Sequence, residues 1–247
     1  MSGAAPPPAA PRVRGAGSLR VERVFDHAPD TRSIFASLAG GGRLKFTPGQ
    51  FVSISIPLAD ETRTRPYTIA SSPDDDGPLE LVFNRVPGGR GVQWLFERAP
   101  GDVMDFTGPF GNFTIDRAPE TEAVFIAEGT AIAPIRPMLR RARAAADHRP
   151  IHLLYAADRA EHLLYRAEFE RIAASDPRFA FETIIGEVAH AALYDRIHER
   201  VERQWVSADA NRARQFYICG VGKGVVRIRD LLRGAGYERR AVHYEQW

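Results

Sequence analysis

The hydrophobic rhythm of this chain changes once, near Ala118-Pro119-Glu120, and that change constrains the fold more than any other feature. Ahead of it, short β-branched and aromatic runs at 19–25, 33–38, 51–57, 65–70, 79–86 and 103–107 are broken by Gly, Pro and Asp. Six short strands at that spacing predict a small antiparallel barrel. One helix, 92–98, follows the turn Gly88-Gly89-Arg90-Gly91. Behind the boundary, apolar strands at 123–127, 151–156, 179–185 and 216–219 alternate with Arg-, Ala- and Glu-rich helices at 132–146, 161–174, 189–203 and 223–235. Such alternation predicts parallel βαβ units with right-handed crossovers. The expected fold is therefore two-domain: an antiparallel β-barrel over 18–117, then an α/β parallel-sheet domain over 118–247.

Residues 1–17 are rich in Ala, Pro and Gly, with Val13 the one sizeable apolar residue after Met1, and read as a disordered leader. A net charge of +2 argues against a nucleic-acid partner. No run reaches the eighteen or so apolar residues of a membrane helix, so a soluble protein with no membrane association is expected. The single cysteine, Cys219, rules out an internal disulfide and a Cys-ligated iron–sulfur cluster within these residues, and points to a reducing cytoplasm.

Two segments have the makings of phosphate sites. In Arg65-Pro66-Tyr67-Thr68, strand alternation puts Arg65 and Tyr67 on one face and Thr68 on the other. An arginine can fork onto a phosphate and a tyrosine can stack along a flat ring. Alone, the segment reads better as a strand with an edge arginine and a half-buried tyrosine. The second segment, Gly129-Thr130-Ala131-Ile132-Ala133-Pro134, supplies a tight turn, a hydroxyl and the N–H groups of a helix start, although only its first position matches G-x-G-x-x-G. Phe216-Tyr217-Ile218-Cys219-Gly220 is an apolar strand ending at a turn, where ligands of open parallel sheets bind. Gly220-Val221-Gly222-Lys223-Gly224 lacks the Ser/Thr and spacing of a P-loop, which disfavours a nucleoside triphosphatase.

In this order and at this distance, the segments resemble the two nucleotide sites of the ferredoxin–NADP reductase family, flavoenzymes that pass a hydride from a nicotinamide to FAD and release electrons singly. Pro48-Gly49-Gln50-Phe51-Val52, Ser71-Ser72-Pro73 and Gly108-Pro109-Phe110-Gly111-Asn112-Phe113 fall in the family's order around the first site. The resemblance implies FAD bound by the barrel through Arg65, Pro66, Tyr67 and Thr68: Arg65 on the pyrophosphate, Tyr67 against the isoalloxazine, Thr68 near its N5/O4 edge. It implies a second phosphate contact at Gly89, Gly91, Val92 and Gln93, with Val92 where the family often has Ser or Thr. Gly129, Thr130, Ala131 and Pro134 look like the family's Gly-Thr-Gly-Ile-Ala-Pro, with Glu128 and Ala131 standing where it usually has Gly. Glu128 is expected to turn away from the phosphates.

By the same resemblance, Cys219-Gly220 borders the nicotinamide, with Cys219 shaping the site. The final Glu245-Gln246-Trp247 matches the family's Glu-x-aromatic ending, with Trp247 the gate over the flavin and Glu245 a proton relay. Asp158 suits a free ribose, whereas Arg159, helped by Arg166, suits a 2′-phosphate. The co-substrate is NADPH or NADH, tipped by the arginines to NADPH. The implied enzyme is a ferredoxin–NAD(P) reductase-type flavin oxidoreductase feeding a separate ferredoxin, flavodoxin or oxygenase component. Two other readings stand beside it: a non-catalytic flavin-binding regulatory or docking module, and a reductase of free flavin or quinone.

Overall fold

The computed structural model describes residues 12–13, 15–115, 117–186, 190–208 and 210–247. The first half contains β1 (Arg12–Val13), β2 (Gly15–Ala28), β3 (Thr31–Leu38), β4 (Arg43–Leu44), β5 (Phe51–Pro57), β6 (Thr62–Thr68), β7 (Leu79–Asn84), helix α1 (Arg90–Phe96) and β8 (Val103–Phe110). Six of these strands form an antiparallel sheet in the order β6-β5-β8-β2-β3-β7. Alternation in β5 turns Val52, Ile54 and Ile56 inward, where they meet Leu19, Ile34, Leu81 and Phe106. The sheet curls until its edges meet at an antiparallel bridge between Ile69 and Leu81, next to which Ala70 N–H donates to the Glu80 carbonyl at 2.8 Å.

The expected leader is too long at its C-terminal end. Arg12–Val13 pair with Arg43–Leu44, and β2 already opposes β8 from Gly15, so residues 15–17 belong to the sheet. The Gly-Ala-Gly composition hid this because such residues carry no strand signal. At Gly17 space selects the glycine, since a Cβ there would stand 3.2 Å from the Phe106 ring, whereas Gly15 takes φ 116°. The remainder of the expected leader, residues 1–11 and 14, lies outside the described residues.

The second half holds β9 (Ala123–Glu128), α2 (Ile132–Ala142), β10 (Ile151–Ala157), α3 (Arg166–Ser175), β11 (Phe179–Ile185), α4 (His190–Val201), β12 (Gln215–Gly220), α5 (Lys223–Gly234) and β13 (Val242–Gln246). All five strands run parallel in the order β11-β10-β9-β12-β13. Successive residues of β9 serve opposite faces: Phe125 and Ala127 pack with α2 and α3, Val124 and Ile126 with α4 and α5. Burial on both faces explains why these strands read as unbroken apolar runs. Helix α3 starts later than the sequence suggests because Leu163 and Leu164 are drawn into the core and Tyr165 takes a left-handed backbone, φ 59°. The chain leaves β9 toward β10 and returns on its other side at β12, so the crevice beyond the ends of β9 and β12 is the topological switch point. Among the described residues no helix is long and apolar enough to cross a membrane.

The two sheets are joined by both packing and charge. Ala70, Val82, Phe113 and Ile115 lie in the same apolar cluster as α2 and Phe125. Glu80 on β7, 3% exposed, accepts from Ser33 Oγ at 2.7 Å, Tyr165 OH at 2.8 Å and Arg136 Nη1 of α2 at 2.8 Å. Arg136 also meets Glu168 at 2.9 Å, and its guanidinium lies 4.0 Å from the Tyr165 ring centre. Removing one partner from a buried pair strands the other charge. Arg136→Met is expected to cost about 3 kcal/mol in urea unfolding, with much of the loss recovered by adding Glu80→Gln. A single-variant loss below about 1 kcal/mol would show that the pair contributes little to joining the halves.

Candidate functional site

Two cavities lie on the seam between barrel and parallel sheet, and a groove on the barrel adjoins them. The central one, about 330 Å3, is walled by Pro66, Tyr67 and Thr68 of the barrel, by Ala131 and Pro134 at the start of α2, and by Trp247. Thr68 reaches it although alternation assigns it to the face opposite Tyr67, because β6 ends at this residue. Its Oγ1 is buried with no hydrogen-bond partner among the described residues. Burial pushes the Tyr67 phenol up to about 12, against a smaller opposing influence of Arg65, so it stays a neutral donor. Its ring is held edge-on by Phe83, 5.7 Å away.

Beyond Val92, which borders both, opens a groove of about 930 Å3 lined by Leu58, Arg85, Gly88, Gly89, Arg90 and Gln93 among others. Arg65 lies next to this helix start: a Cβ at Gly91 would come within 3.8 Å of Arg65 Cγ and 3.1 Å of Ile56 Cδ1. The Arg65 guanidinium is exposed and donates to the Thr64 carbonyl at 2.9 Å. Helix α1 is only seven residues long and Gly89 provides no side-chain cap. The Gln93 amide is engaged at the surface, accepting from Arg85 at 2.8 Å and donating to Glu97 at 3.2 Å.

On the other side, a cavity of about 250 Å3 is lined by Asp30, Glu128, Gly129, Thr130, Asp158 and His162 among others. Gly129 takes φ 55°, a conformation that favours glycine, and opens a 3-10 turn, Gly129–Ala131, ahead of α2. Glu128 is among the residues that line the cavity. Its residue is the last of β9, where the strand delivers side chains directly into the switch point. Neither expected arginine lines this cavity. Arg159 is drawn to Asp30 at 3.0 Å and Glu161 at 3.3 Å, and Arg166 pairs with Glu170 at 2.7 Å along the outer side of α3. His162 bridges Asp30 at 2.8 Å and Asp158 at 2.5 Å. Burial lowers its pKa, but hydrogen bonds and charge from those two carboxylates outweigh this and raise it.

Cys219 and Glu245 stand side by side on neighbouring strands, with Ala127 across from Cys219 on β9. Trp247 closes this corner: its N–H donates to the Gly220 carbonyl at 3.0 Å, its carbonyl accepts from Gly222 N–H at 3.1 Å, and its indole N–H donates to Cys219 Sγ at 3.4 Å. The ring is half exposed and meets Phe51 edge-on at 6.4 Å. Burial foremost, then the charges of Glu245 and Glu128, push the Cys219 thiol well up, so no thiolate nucleophile forms there. Burial also lifts Glu245 to about 7, and its Oε2 is buried without a partner among the described residues. Thr68 and Trp247 thus share one cavity, with Cys219 directly beneath the indole and Glu245 beside it.

Two tyrosines that no motif marked hold these loops. Tyr155 on β10 has its hydroxyl 2.9 Å from the Gly129 carbonyl and 3.1 Å from that of His162, tying together two walls of the smaller cavity. Tyr194 on α4 accepts the Val221 N–H at 2.9 Å, and a Cβ at Gly220 or Gly224 would fall 1.9 or 2.2 Å from its side chain. The glycines of Gly220-Val221-Gly222-Lys223-Gly224 therefore make room for a ring as well as a turn. That ring was invisible in sequence because it arrives from a different helix.

The chain matches the family models of the oxidoreductase FAD-binding domain over residues 19–115 and the oxidoreductase NAD-binding domain over 125–228. It is 31% identical over 234 residues to ferredoxin--NADP reductase B of Sorangium cellulosum, covering 92% of this chain and 96% of that protein. It is 25% identical over 229 residues to the toluate 1,2-dioxygenase electron transfer component of Pseudomonas putida, covering 92% of this chain but 66% of that one. Amycolatopsis cytochrome P450 reductase GcoB superposes with a TM-score of 0.76 at 29% identity, covering 94% of this chain and 70% of that one. A Neisseria gonorrhoeae ferredoxin NADP+ reductase with bound FAD and NADP shares the fold, with a TM-score of 0.76 at 19% identity over 94% of this chain and 98% of that one. The shared two-domain architecture and the near-complete match to a reductase of similar length place this chain in the ferredoxin–NADP reductase family, as an oxidoreductase that uses FAD and a nicotinamide nucleotide.

Proposed function

We propose that this chain retains FAD across the central cavity and the α1 groove, oxidises a nicotinamide nucleotide, and delivers the electrons singly to a separate ferredoxin, flavodoxin or oxygenase component. The observation that carries the reading is Thr68: a buried hydroxyl with no partner among the described residues, in a cavity walled by Tyr67 and Trp247, fits the polar edge of a flavin ring. Bound there, FAD supplies the conversion between two-electron and one-electron transfer that no side chain offers.

The protein's own groups bind, orient and exclude water. Arg65 and the turn at Gly89–Gly91 take the pyrophosphate, and Tyr67 and Pro66 flank the ring system. Gly129 and Thr130 receive the phosphates of the second nucleotide, Ala131 and Pro134 wall the central cavity beside them, and Cys219-Gly220 shapes the floor on which a nicotinamide would lie. Trp247 covers that position until the nucleotide displaces it, which keeps water from the reacting faces. Glu245 Oε2, neutral below pH 7, holds a proton beside this corner. The short α1 and Val92 leave the flavin with fewer anchors than the sequence motif implies, which favours a free-flavin reductase as the second reading.

Anaerobic titration of the purified yellow protein with NADH and with NADPH is expected to bleach the flavin band; a flavin that neither nucleotide reduces would overturn the reductase reading. Arg65→Ala is expected to purify with most of its FAD lost, and full flavin content in that variant would remove Arg65 from the pyrophosphate site. For Glu245, a folded pKa of about 7 lies above the ordinary carboxyl value of 4.5, so its stabilising effect is complete below the lower value and lost as pH rises through the higher. The melting temperature of Glu245→Gln relative to the native protein should therefore climb between pH 5.5 and 8.5, on the order of degrees. A difference independent of pH would contradict the raised value.

A further inference from the structure

The nucleotide cavity beside Glu128 is walled in part by a residue of the barrel. Asp30 lies in the two-residue turn between β2 and β3, directly after Pro29. Its carbonyl accepts from Arg85 N–H at 2.7 Å and its carboxylate from the Thr31 hydroxyl at 3.1 Å. From there the carboxylate crosses the seam to Arg159 at 3.0 Å and to His162 at 2.8 Å.

Asp158 follows immediately after β10, the second strand of the parallel sheet, where folds of this kind meet the adenosine ribose. The residues that line the cavity thus include three acids, Asp30, Glu128 and Asp158. Against them stands His162, which bridges two of the three. Arg159, the guanidinium next along the chain, is not among the lining residues: it stands behind them, 3.0 Å from Asp30, 3.0 Å from His162 Nε2 and 3.3 Å from Glu161. A ribose with a free 2′-hydroxyl donates well to such a wall. A 2′-phosphate would bring close to two further negative charges to it with no guanidinium in place.

We propose that Asp30, contributed by the flavin half, determines the nucleotide preference: by holding Arg159 outside the cavity it leaves an acidic wall that selects NADH over NADPH. This rests on the reductase reading above, and it reverses the preference that Arg159 and Arg166 suggest as sequence alone. Asp30 and Arg159 are each partly exposed, at 38% and 42%, so their pairing is exchangeable and a nearby phosphate can compete for Arg159 once Asp30 is neutralised.

The test uses the flavin-loaded protein and two probes that differ only at the 2′ position, AMP and adenosine 2′,5′-bisphosphate, titrated by calorimetry alongside kcat/KM for NADH and NADPH. The native protein is expected to favour AMP and NADH by at least about 10-fold, roughly 1.4 kcal/mol. Asp30→Asn should shift the ratio of the two dissociation constants toward the bisphosphate by about 10-fold, and the double variant Asp30→Asn/Arg159→Ala should abolish that shift. A native preference for NADPH, an Asp30→Asn ratio equal to the native one, or a shift that survives without Arg159 would each overturn the proposal. If neither nicotinamide reduced the flavin while the probe ratios behaved as expected, the reductase reading would fall and the role of Asp30 would stand.

Discussion

A carboxylate set into the wall of a barrel is tolerated only where donors meet it, and Glu80 is met by Ser33 from its own sheet and by Tyr165 and Arg136 from the other half. Satisfying it requires α2 and the turn before α3 to dock against β7 in one orientation. Arg136 lies two residues after Pro134, so the ion pair also fixes where the Gly129–Ala131 turn faces the barrel. The left-handed backbone at Tyr165, costly for a non-glycine residue, is held in place by the same contacts. The cavities along the seam exist because this junction leaves the C-terminal ends of β9 and β12 facing Tyr67 and Thr68 across a gap.

The fold was legible because period and burial agree. Alternation in β5 and the unbroken apolar runs of β9 and β12 report one-sided and two-sided burial directly. Where local signal and tertiary contact disagree, the sequence misled. Gly15–Gly17 look structureless yet complete an antiparallel pairing with β8, and the helical composition after Glu161 yields to Leu163 and Leu164 seeking the core.

The site was legible as motifs and illegible as pairings. Thr68, Gly129 and Trp247 sit at strand ends, where position along the chain and position in the cleft coincide. Arg159 illustrates the opposite case: its sequence neighbourhood suggests a phosphate ligand, but among its partners is Asp30, 129 residues away. Tyr194 is equally hidden, since nothing in Gly220-Val221-Gly222-Lys223-Gly224 reveals which helix will press on it. Charges near a cleft acquire meaning only once the carboxylates from the other domain are counted.

Both backbone hydrogen-bonding groups of Trp247 are tied to the loop that runs from Gly220 to Gly222. If the indole must leave the flavin face, it has no need to peel the strand away and can turn about its own side-chain bonds, giving up the contact with Cys219 and the edge of Phe51. Rotamer changes of a half-exposed side chain belong to the picosecond-to-nanosecond range, far faster than loop or domain opening. If Trp247 covers the flavin as proposed, a cover hinged in this way would set an equilibrium cost on nucleotide entry without imposing a kinetic delay, and the pace of turnover would be set by other steps.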